Sequence, residues 1–88
     1  MQYSDWKKLS FKMKLENLKV VSHRLRKQAD RADPIATMDA MAHMSFWVGQ
    51  AAYLMNNVHI DGQNSLPDEV VYAKAINAVH DAASQVGL

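Results

Sequence analysis

Three carboxylate–imidazole pairs have a spacing that acid–base or metal chemistry can use. Asp39 and His43 stand four positions apart, so on a helix they share one face, where the carboxylate can orient the imidazole for proton transfer or both can ligate a metal. His59 with Asp61, and His80 with Asp81, are weaker versions. None of the three brings the several convergent ligands a metal needs, and a chain without cysteine has no thiolate ligand, disulfide or thiol nucleophile. The glycines, Gly49, Gly62 and Gly87, lie too far apart for a phosphate loop, and neither Gly-x-Ser-x-Gly nor His-Glu-x-x-His occurs. The expectation is of no enzyme, with no catalytic residue, cofactor or metal. Asp39, His43, Gln50, Tyr53 and Asn57 then read as the solvated or interhelical polar stripe of a helix.

Binding chemistry is better represented. Trp6, Met13 and Val20 recur every seven residues, and at 100° per residue Met13 lies about 160° from Leu15, which belongs to the apolar seam. On an unbroken helix that row faces away from the core and forms a strip for self-association or target binding, with Trp6 as its anchor. The alternative is a break near Leu9 to Phe11 that lets Trp6 fold back over the core. Beside the row runs a cationic stripe, Lys8, Lys12, Lys19, His23 and Arg26. Lys8 and Lys12 repel at i,i+4, and lysines near a helix N-terminus oppose the macrodipole, so helix stability alone does not call for them. Three uses compete: pairing with the chain's own Asp61, Asp68 and Glu69, an acidic protein surface, or nucleic acid with Tyr3 or Trp6 stacking on bases.

The charge map sharpens this. Nine basic residues up to Arg31 face three acidic ones, a net of +6, whereas from Ala32 onward Lys74 alone opposes six carboxylates, a net of −5. The overall charge is only +1, and the pI near 8.1 is low for a nucleic-acid-binding domain.

The elements that must position these residues follow from spacing and punctuation. Phe11, Leu15, Leu18, Leu25, Ala29 and Ala32 step by threes and fours, with Ser22 as the polar member of the seam. A short strand over 9–15 is the local alternative, although nothing is at hand to pair with it. Asp33-Pro34 reads as N-cap and first helical position, and Asp61-Gly62 through Pro67 as a turn, with Ser65 and Asp68 spaced like a capping box. Gly87 suits a left-handed cap. Between these marks, Met38, Met41, Met44, Trp47, Val48, Ala51, Leu54 and Met55 make the second segment apolar around most of its circumference, so it is expected at the buried centre. Its methionines serve as core or as a repackable groove. The third carries Tyr72, Ile76, Val79, Ala83 and Val86 among alanines that permit close approach.

The expected architecture is all-α: one domain over 1–88, a small antiparallel three-helix bundle of helices near 4–31, 34–58 and 66–86, which oligomerisation can complete. A chain this short buries only roughly 60 to 65% of its unfolded surface, so further burial by association is a natural gain. No run of 18 apolar residues spans a membrane and the basic start lacks an apolar signal region, so no membrane partner is expected and a reducing, cytoplasmic compartment is. The expected function is a non-catalytic protein-binding module: an accessory factor, inhibitor or assembly subunit of the kind viruses and bacteria use. Trp6, Lys8, Lys12, Met13, Lys19, Val20, His23 and Arg26 would dock an acidic protein or a second copy. The alternative is a nucleic-acid-binding module using the same basic helix.

Overall fold

The computed structural model describes residues 2–56 and 67–87, which form four helices: α1 (Tyr3–Lys7), α2 (Phe11–Ala32), α3 (Met38–Met55) and α4 (Asp68–Gln85). Among the described residues there is no strand. The Cα radius of gyration is 12.8 Å. Asn57, His59, Asp61 and Ser65, and with them the turn and capping box expected there, lie outside the described residues.

The first expected helix is two helices. The chain leaves helical geometry after Lys7, and Ser10, in extended conformation, starts α2 by accepting the Met13 amide on its hydroxyl at 3.3 Å. No strand forms at 9–15, since Phe11 onward is helical. On α2, Leu18, Ser22, Leu25 and Ala29 are buried as their spacing requires, with Val21 added between them; Phe11 and Ala32, at the two ends, are exposed.

Asp33 caps, but it caps a turn. Its Oδ1 accepts from the Ala36 amide at 3.0 Å and its carbonyl accepts from the Thr37 hydroxyl at 2.8 Å, which ties 34–37 into a turn and delays α3 to Met38. Gly87 takes a left-handed φ of 79° just beyond α4.

The centre of the molecule is α4, and this corrects the expectation for the second segment. Seven α4 residues are buried: Val71, Ala75, Ile76, Ala78, Val79, Ala82 and Ala83. Only Met44, Val48 and Ala51 are buried on α3. The cause is side-chain size. Alanines around much of α4 let α3 and α2 both approach closely, whereas Met and aromatic residues around α3 hold neighbours off on all but one side. Met38 and Phe46 are left 62% and 54% exposed.

Truncation of Leu18, whose side chain is fully buried, is expected to cost about 2–5 kcal/mol in denaturant unfolding. Val20→Ala on the opposite side of α2 should stay within about 0.5 kcal/mol of the parent. Equal effects would contradict this placement of α2.

Candidate functional site: a cationic groove between α1 and α2

Trp6 decides the local geometry. It is fully buried, so it does not anchor an outward strip, and the break at Lys8–Ser10 takes it out of register with Met13 and Val20. Its ring stacks on Tyr3 at 5.6 Å between centroids and lies 5.3 Å from the His80 ring of α4, with the Lys14 ammonium 5.6 Å from its centroid. The Tyr3 hydroxyl and Nδ1 of His80 are hydrogen-bonded at 2.7 Å. Burying an indole of roughly 200 Å² contributes about 5 kcal/mol. Against this, Trp6 Nε1 is buried with no hydrogen-bond partner among the described residues, a cost of about 1–3 kcal/mol. Burial wins, and α1 is held against α2 and α4.

The titrations follow the packing. Burial, then the Lys14 and Lys7 ammonium groups, lower the pKa of His80, with Asp81 opposing. Burial and Asp81 raise that of Tyr3. Both shifts favour the neutral forms; in the tautomer with its proton on Nε2, His80 accepts the Tyr3 hydroxyl on Nδ1.

With α1 folded back along α2, the two enclose a cleft of about 540 Å³. Val21 and Leu25 contribute apolar wall, Gln2, Tyr3, Ser4 and Gln28 contribute polar groups, and Lys7, Arg24, Lys27 and Arg31 contribute four cations; among the described residues no carboxylate lines it. Arg24, Lys27 and Arg31 follow one another by three and four along α2, so they share a face. Met13, 42% exposed, and Val20, 50% exposed, lie eleven and four positions before Arg24 on that same side.

The cationic stripe expected from the sequence lies elsewhere. Lys8 is exposed at the end of α1, and Lys12, Lys19, His23 and Arg26 are exposed along the other flank of α2. Arg26 is turned toward α3, donating from Nη1 to the Ser45 hydroxyl at 3.4 Å, and with His23, Lys27, Asp30 and Met41 it lines a second, mixed-charge depression. Sequence reasoning missed Lys7, Arg24, Lys27 and Arg31 as a group because α1 supplies one wall. The i,i+3,i+7 spacing of the last three was the available signal.

The Asp39–His43 pair gains nothing from the fold. Asp39 and His43 are both exposed, His43 resting edge-on against Trp47 at 6.4 Å, and no cluster of three or more metal-ligating side chains exists among the described residues. Among those residues no helix is long and apolar enough to cross a membrane. Comparison with protein families, curated proteins and solved structures finds no match.

Because the folded-state pKa of His80 lies below its ordinary 6.5, the unfolded chain binds a proton more readily in the window just under 6.5. Stability should therefore fall as pH drops from 6.5 toward the lowered value and level off below it. Urea midpoints across this range, compared with those of His80→Gln, check the sign. A parent that gains stability on acidification through that window, relative to the variant, contradicts the packing described.

Proposed function

We propose that this protein is a non-catalytic binding module whose α1–α2 groove takes an acidic segment of a partner protein. The scaffold in this reading is an antiparallel bundle of α2, α3 and α4, to which α1 adds the second wall of the groove. One observation carries it: four cations converge on a cleft that, among the described residues, no carboxylate lines. Arg24, Lys27 and Arg31 repel one another at their helical spacing, and Lys7 adds to that repulsion from the facing wall. A carboxylate-bearing segment relieves it and forms charge-assisted, bidentate hydrogen bonds with the two guanidinium groups.

The reading is non-catalytic because the described residues lining the groove offer cations, amides and hydroxyls, and none is a carboxylate or imidazole to serve as base. It is a protein reading because the charge is local. Asp30, which lines the second depression with Lys27, and Glu16 interrupt the positive surface of α2 beside the groove, whereas a nucleic-acid backbone needs a continuous track of cations. Absence of cysteine suits a reducing compartment such as the cytoplasm.

Titration with a Glu- and Asp-rich peptide at low ionic strength, followed by calorimetry, tests this. The double variant Arg24→Glu/Lys27→Glu should lose at least about tenfold in affinity, roughly 1.4 kcal/mol. Lys12→Glu/Lys19→Glu, with the same change in charge on the other flank, should lose far less. No binding of the parent, or equal loss in both variants, overturns the proposal. Tighter, steeply salt-dependent binding of single-stranded nucleic acid would replace it with the nucleic-acid reading.

A further inference from the structure

The outer face of α3 has no use in the groove. Along it Ala42, Phe46, Gly49 and Tyr53 follow at steps of four, three and four, the spacing of a helix–helix seam, with Asp39 and Asn56 three positions beyond each end. Phe46 and Tyr53 are 54% and 48% exposed, and an added Cβ at Gly49 would meet nothing within 4 Å. Phe46 is braced edge-on against Trp47 at 5.1 Å, so its ring is presented in a fixed place.

The sizes along this face match their own reverse. Set two copies of α3 antiparallel about a twofold axis at the height of the Trp47–Val48 bond. Phe46 then faces Gly49 of the second copy, Tyr53 faces Ala42, and the Asp39 carboxylate faces the Asn56 amide, each contact occurring twice. Large meets small at every step, as knobs-into-holes packing requires, and an isologous interface demands this self-complementarity. Charge agrees: 32–73 contain no lysine or arginine, so pairing this face with itself opposes no like cations, unlike the surface of α2. At roughly 200 Å² per full side chain, Phe46 and Tyr53 leave about 200 Å² open per copy, an area that suits a weak, concentration-dependent pair.

We infer that the outer face of α3 binds a second copy of this chain through the antiparallel Phe46–Gly49 and Tyr53–Ala42 register, giving a weak twofold dimer. The groove between α1 and α2 stays open in it, so the inference is independent of what that groove binds.

Sedimentation equilibrium over the micromolar to millimolar range should show a monomer converting to a dimer and no larger species. Gly49→Phe puts ring against ring and should raise the dissociation constant at least tenfold, while the monomer, where nothing crowds position 49, keeps its helical circular dichroism. Phe46→Ala should weaken the dimer similarly. The double variant Phe46→Ala/Gly49→Phe exchanges knob and hole and should restore most of the lost affinity. A parent monomeric throughout, a dimer indifferent to Gly49→Phe, assembly beyond two copies, or a double variant no better than the single ones overturns the register.

Discussion

A five-residue helix cannot persist in water by itself, because fixing its first turn costs more than its few hydrogen bonds return. α1 persists because Trp6 is enclosed between Tyr3, the His80 ring and the Lys14 ammonium, and burial of the indole outweighs an N–H with no acceptor among the described residues. Much else follows from this contact. It requires the chain to reverse between Lys8 and Ser10, it sets Lys7 opposite Arg24, Lys27 and Arg31, and it favours the uncharged forms of the Tyr3 hydroxyl and the His80 imidazole.

The second constraint is the contrast between an alanine-rich α4 and an α3 built from large side chains. Close approach on several sides of α4 satisfies α2 and α3 together, and Val79, Ala82 and Ala83 disappear from solvent entirely. α3 has only one face that can meet it. The remaining apolar circumference, which from the sequence looked like the mark of a central helix, is surplus.

The sequence made the helical class legible, because periodicity of three and four needs no tertiary information. It also marked the seam of α2 and the polar punctuation at Asp33 and Gly87. The fate of Trp6 was not legible, since a heptad row on an unbroken helix and a folded-back indole use the same residues. Ser10, an N-cap residue type, was the one local sign of the break. The span of α3 shifted because an Asp that can cap a helix can equally close a turn, and Thr37 added a hydroxyl that bonds back to the Asp33 carbonyl. The groove escaped notice because half of it belongs to a segment whose position depends on burial. Helical spacing reports neighbours on one helix and says nothing of a wall supplied from another. That Arg24, Lys27 and Arg31 share a side was readable; that Lys7 stands across from them was not.

Since α1 forms one wall of the cleft and is too short to stand alone, occupancy and docking are linked. On the proposed reading, an anion held there would tie α1 down, and its apparent affinity would be scaled by the fraction of molecules in which α1 is already in place. On the same reading, acid would act against the intuition that positive surfaces bind better at low pH. Burial and the Lys14 and Lys7 ammonium groups disfavour a charged His80, so mild acidification would loosen the α1 wall while every lysine and arginine keeps its charge.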